Sequence, residues 1–199
     1  SIGTEYVSEQ KVVKKMNNIN IFLASEIIEI SEHKTYLELT SRICYYDDTN
    51  ANGVMLPFDD TTEDKAQTLI SMPVQAKYKT NKKGEPTFGS HEMCKDNKGN
   101  VFFNTSSIGT HTEVYIKPDT IKTFGGEIKK LPCLFAKYRV WKRYKNVVGA
   151  VQRLFSLNKL FSSWEIIVSA YEVKDGIKKL TEYEFEANTL LGFEFATPS

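Results

Sequence analysis

Two stretches of β-forming residues flanking a turn, close to the C-terminus, constrain this chain more than any other feature. Residues 163–173 read Ser-Trp-Glu-Ile-Ile-Val-Ser-Ala-Tyr-Glu-Val, a run rich in β-branched and aromatic side chains. Lys174-Asp175-Gly176 supplies turn residues. From Leu180 toward Phe195 the chain begins as a second strand, with Tyr183, Phe185 and Ala187 alternating against Glu182, Glu184 and Glu186. A period of two places apolar side chains on one face and carboxylates on the other. Residues 35–45 and 73–78 also read as strands, and 101–103 and 112–116 are strand candidates.

Against these strands stands one strong helical pattern. Between Ala136 and Leu157, Val140, Tyr144, Val147, Val151, Leu154 and Phe155 recur at helical spacing, and Trp141 and Val148 widen the stripe. The acidic stretch 59–65 reads as a helix start or loop, in which Asp60 or Thr61 caps a short helix carrying Ala66, Leu69 and Ile70. Residues 20–32 mix helix and strand spacing. The expected architecture is α+β: a mostly antiparallel, strongly bent sheet or barrel surrounded by helices. A length of 199 residues suits one domain. Met16 resembles a start, so residues 1–15 are expected to be an N-terminal arm or upstream extension, and 16–199 a single domain.

Composition removes several function classes. No uncharged apolar run approaches the ~18 residues that a membrane span needs. Lysine plus arginine total 26 and aspartate plus glutamate 25, a net charge of +1, so no global field for nucleic acid exists. A basic, aromatic stretch from Lys137 to Lys145 suggests a nucleic-acid face, but its aromatics fall on the apolar stripe and its basic residues then form the solvated side. Nucleic acid is therefore not an expected partner. The cysteines Cys44, Cys94 and Cys133 are odd in number and widely spaced, which points to a reducing cytoplasm. His91-Glu92-Met93-Cys94 is the one close grouping of metal-binding types, and it lacks the second pair that zinc requires. No glycine-rich phosphate cradle occurs, and no cofactor is expected.

Nucleophilic catalysis remains. A serine becomes a nucleophile when a base takes its proton, and the histidines available are His33, His91 and His111. Met72-Pro73-Val74-Gln75-Ala76-Lys77-Tyr78, followed after a loop by Gly89-Ser90-His91-Glu92, resembles a pattern of tailed-bacteriophage prohead proteases, which share a fold with the herpesvirus assemblins. In them a strand leads to a G-H-[DE] or N-H-[DE] motif whose histidine is the general base. Ile108-Gly109-Thr110 resembles the strand that follows. The helix ahead of Asn158-Lys159-Leu160-Phe161-Ser162-Ser163-Trp164 resembles the helix and turn that deliver the family's catalytic serine, with Asn158 standing where a glycine is common.

The resemblance implies an assemblin-like fold and a serine endopeptidase that cleaves scaffold and major capsid proteins, and itself, during capsid maturation. On it Ser163 is the nucleophile, with Ser162 second, and His91 is the base. Glu186 is the first choice for the group that orients His91, with Glu184, Asn188 and His111 as alternatives. Glu184, Glu186 and Asn188 are expected on one strand face. The resemblance also implies self-association and a location in the host bacterial cytoplasm, inside the assembling prohead. The alternative is a non-catalytic scaffold or capsid-assembly protein on the same domain.

Overall fold

The computed structural model describes residues 12–90 and 93–195. In chain order the elements are β1 (Val12–Glu32), β2 (Tyr36–Tyr45), β3 (Val54–Met55), α1 (Thr62–Gln67), β4 (Pro73–Thr80), β5 (Pro86–Gly89), β6 (Met93–Lys95), β7 (Val101–Phe103), β8 (Ser106–Lys122), β9 (Ile128–Trp141), α2 (Lys145–Ser156), β10 (Leu160–Lys174) and β11 (Ile177–Gly192), with a 3-10 turn at Phe193–Phe195. The strands β11, β10, β1, β2, β9, β8 and β4 are hydrogen-bonded in that order, each antiparallel to the next. A parallel pairing of Asn188 with Val74 through Leu190 with Ala76 joins β11 back to β4 and closes the ring. Closure pairs β11 with β4, the strands that would otherwise be left as edges of this run. Strand β3 adds to β11 and β5 adds to β4, while β6 and β7 form a separate pair.

The core fills the ring. Leu37 and Leu39 of β2, Leu134, Tyr138 and Val140 of β9, Trp164 and Ile166 of β10 and Phe185 of β11 are all buried there. Their alternation along each strand is the period-two pattern of a sheet with one face on the core. Helix α2 packs on β5, and to a lesser extent on β10 and β4, through Val147, Ala150, Val151 and Leu154. Among the described residues no helix is long and apolar enough to cross a membrane.

This architecture corrects the expected α+β class. Among the described residues strand accounts for 61% and helix for 12%, with two helices, so a large sheet dominates and helices do not surround an assemblin-like core. Much of the error lies in the expected helix at 136–157. Its first part belongs to β9, whose residues pair with β2 on one side and β8 on the other. Ala136, Tyr138 and Val140 point inward while Lys137 and Arg139 point outward, so the four-residue step from Val140 to Tyr144 is not one face of one helix. The helix itself is confined to Lys145–Ser156. Strand β1 runs through the expected boundary at residue 15, pairing Val12 with Val173, and its register shifts between Lys15 and Ile19. Residues 1–11 lie outside the described part.

Candidate active site

The candidate site is set by how α2 hands the chain to β10. After Ser156 and the C-cap Leu157, Asn158 takes a left-handed conformation with φ of 55°. The Asn158 N–H donates to the Phe155 carbonyl at 3.1 Å and the Lys159 N–H to the Leu154 carbonyl at 2.8 Å. This is the Schellman arrangement, which satisfies the last helical carbonyls and turns the chain sharply. Asparagine tolerates the left-handed region better than most side chains, so it serves where glycine is otherwise usual. Leu160 then opens β10, and Ser162 and Ser163 follow in extended backbone.

Successive strand residues point to opposite faces, and the two serines are separated accordingly. Ser162 points into the ring. Its Oγ shares a 2.9 Å hydrogen bond with the Tyr138 hydroxyl, which shares another of 2.8 Å with Ser41 Oγ. Trp164, on the same inner face, is fully buried and donates from Nε1 to Ser25 Oγ at 2.8 Å. Ser163 lies on the outer face between Ala24 of β1 and Thr189 of β11, and is 5% exposed.

His111 belongs to the inner face. Its ring lies 5.3 Å from that of Tyr138 and 5.4 Å from that of Trp164. Nδ1 is 2.8 Å from the Met72 carbonyl, so Nδ1 carries the proton and donates it there. Nε2 is buried without a hydrogen-bond partner among the described residues. Burial drives the His111 pKa down to about 4, against the opposing pull of the Met72 carbonyl, and the ring is neutral near pH 7. The preceding Gly109 is dictated by crowding: a Cβ there would sit 1.7 Å from the Arg139 carbonyl oxygen.

The three candidate partners on β11 do not share a face, contrary to their spacing of two. Glu165 pairs with Ala187 but Ile166 pairs with Phe185, so Glu186 is an extra residue in a bulge. The bulge resets the alternation. Asn188 turns inward beside Tyr138, wholly buried; it lies close enough to favour the Tyr138 phenolate, but among the described residues neither amide atom reaches hydrogen-bond geometry. Glu184 is exposed and Glu186 half-buried, on the outer side. The structure thus groups Ser162, His111 and Asn188 inside, and Ser163 with Glu186 outside.

One acidic residue on the outer face escaped the sequence reading. Glu165 is two residues beyond Ser163 on the same strand face, ~7 Å along it, and is 9% exposed. Asn20 Nδ2 donates to Glu165 Oε1 at 2.5 Å. Burial first, and the Glu186 charge second, raise its pKa, while the Asn20 bond opposes them. Burial and then the Glu184 charge raise that of Glu186. The signal that would have found Glu165 is the same period of two that separates the serines. His91 lies outside the described residues. Strand β5, which leads toward it, rests on Gly192: a Cβ on Gly192 would meet Thr87 Oγ1 at 2.7 Å and the Phe88 carbonyl oxygen at 3.0 Å. Gly192 is the register partner of Leu160, three residues before Ser163.

Three of the basic residues between Lys137 and Lys145 are tied to neighbours. The Arg139 guanidinium stacks over Tyr36 at 4.1 Å, Lys142 meets Glu32 at 2.9 Å and Lys137 lies 3.8 Å from Glu38. Among the described residues no cluster of three or more histidine, cysteine or acidic side chains is arranged to hold a metal.

Residues 28–199 match the family model described as the YonD N-terminal domain. No curated protein and no solved structure matches the chain significantly.

Proposed function

The chain belongs to the YonD N-terminal domain family, which is phage-associated; from the resemblance of its motifs and the placement of Ser163 we propose that it is a serine endopeptidase of phage capsid maturation. Ser163 Oγ attacks the scissile carbonyl, and His91 takes its proton and returns it to the leaving amine. A carboxylate of the Glu165–Glu186 pair orients the imidazole, Glu186 being the choice made from sequence and Glu165 the one with a fixed partner in Asn20. Substrates are scaffold and major capsid proteins and further copies of the protease, inside the assembling prohead in the host cytoplasm.

The observation that carries this reading is the placement of Ser163. It follows a helix and a left-handed turn, faces away from the core, and shares its face with two carboxylates whose pKa values are raised. Ser162, one residue earlier, is committed to a buried hydrogen-bond chain. The second reading, a non-catalytic assembly protein, is favoured by the 5% exposure of Ser163, since a peptide reaches that hydroxyl only if its cover moves. Mass spectrometry of the protein incubated with its capsid precursor separates the two. Cleavage by the wild type and none by Ser163→Ala supports the protease. Intact precursor with both leaves the assembly role.

A further inference from the structure

The ring of strands has an open seam. Strands β1 and β2 are paired from Glu32–Leu37, at their hairpin end, to Ile27–Ser41, and then diverge. Beyond the fork β1 continues along β10 and β2 continues along β9. Among the described residues, no strand lies between residues 23–25 of β1 and 42–45 of β2. Both strands are irregular at the fork: β1 shifts register against β2 between Ile27 and Glu29, and β2 against β9 between Arg42 and Cys44. Such bulges bend a strand and increase its twist, which drives the two apart. The gap between them is a cleft of about 510 Å³.

The seam already uses a substitute for a strand. Asn52, from the loop after β2, donates its Nδ2–H to the Phe22 carbonyl at 2.9 Å. A side-chain amide there does what a neighbouring backbone N–H does in a ladder, and the Phe22 carbonyl on the edge of β1 is turned toward the cleft. Leu23 and Ile43, both buried, supply an apolar floor. Lys122 and Arg42 stand at the rim, and no acidic side chain lines the cleft among the described residues. Arg42 is engaged by Asp119 at 2.9 Å, which leaves Lys122, on the exposed side of β8, to set the sign. Phe124, 65% exposed at the tip of the β8–β9 hairpin, adds an apolar surface beside it.

We propose that this seam docks an extended segment of a partner protein, of alternating apolar and acidic residues, which adds as a strand between β1 and β2. Main-chain hydrogen bonds to an exposed strand edge give affinity, and alternate side chains give selectivity. Apolar side chains of the segment face Leu23 and Ile43, and carboxylates face Lys122. A stretch of four residues spans ~13 Å, the reach of the open edge. The inference stands apart from the chemistry at Ser163.

The test uses the full chain and a synthetic heptapeptide alternating valine and glutamate, with amide hydrogen exchange read residue by residue. The docking account expects slower exchange, by about tenfold or more, at cleft-facing amides of residues 23–25 and 42–45. It also expects a peptide with lysine in place of glutamate, or with a methylated backbone, to give no such protection. Lys122→Glu, a change at an exposed position, should weaken binding about tenfold. Unchanged exchange in the seam overturns the proposal. Equal protection by the lysine peptide also overturns it, as does protection that grows with protein concentration alone, which would assign the seam to a second copy of the chain.

Discussion

The two faces of β10 carry the same residue type side by side and use it in opposite ways. Ser162 is sealed into a chain of hydroxyls with Tyr138 and Ser41, beside a neutral, desolvated His111. Ser163 shares the outer face with two carboxylates that burial first, and then a neighbouring carboxylate (Glu186 for Glu165, Glu184 for Glu186), holds toward protonation. The inner face is polar but closed, and its hydrogen bonds fix the packing of the ring. The outer face is where titratable groups adjoin a hydroxyl at a strand start. Adjacency in sequence therefore says little about chemical role when the backbone is extended, because one step reverses the environment.

The contrast predicts its largest effect inside. Trp164→Ala removes a fully buried ring and its bond to Ser25 and should cost about 3–5 kcal/mol in urea unfolding. A loss below ~1 kcal/mol would mean that the inner face is not the packed one.

The next effect is pH dependence, and its sign differs between the faces. His111 has a folded pKa lowered to about 4, beneath its ordinary 6.5. The unfolded chain then binds the proton more readily, so its contribution is complete above pH 6.5 and is lost as pH falls from 6.5 toward 4, by about 3 kcal/mol. Glu165 and Glu186 have raised pKa values, so the folded state holds their protons more tightly. Their contribution is present at low pH and is lost as pH rises through their folded values. Denaturation of wild type and His111→Gln at pH 7 and pH 4.5 isolates the inner term: the wild type should weaken on acidification more than the variant. Equal weakening would place the acid sensitivity elsewhere.

The serines come third. Ser162→Ala leaves the Tyr138 hydroxyl its bond to Ser41 and should cost about 1 kcal/mol, with peptidase activity within about tenfold of wild type, ~1.4 kcal/mol of barrier. Ser163→Ala should change stability by no more than that and abolish cleavage. The reverse pattern would move the nucleophile inward.

The smallest effect is electrostatic. Glu186→Gln removes one charge from the outer pair and should stabilise the protein at pH 7 by under ~1 kcal/mol, since the site is partly solvated. A destabilisation would show that the Glu186 carboxylate makes a bond in the fold rather than repelling Glu165.

Much of this arrangement was legible in the sequence, and the failures have physical causes. The strand from Trp164, the turn at Asp175 and Gly176, which take φ of 53° and 75°, and the strand beyond it follow from alternation and turn chemistry. The second half of β9 was not legible, because Leu134 to Trp141 carries apolar side chains on both faces and Val140 to Tyr144 mimics a helical step. Ring closure between β4 and β11 joins residues more than a hundred apart, which no local pattern encodes. The bulge at Glu186 is one inserted residue, invisible to a count in steps of two, yet it sends Asn188 to the other face. Glu165 was overlooked although the same count, started at Ser163, reaches it.

The most direct test of the division between the faces is a serine-directed fluorophosphonate, with the adduct mapped by peptide mass spectrometry in wild type, Ser162→Ala and Ser163→Ala. The account predicts a single adduct on Ser163, retained in Ser162→Ala and absent in Ser163→Ala. An adduct on Ser162, or equal labelling of native and urea-unfolded protein, would contradict it.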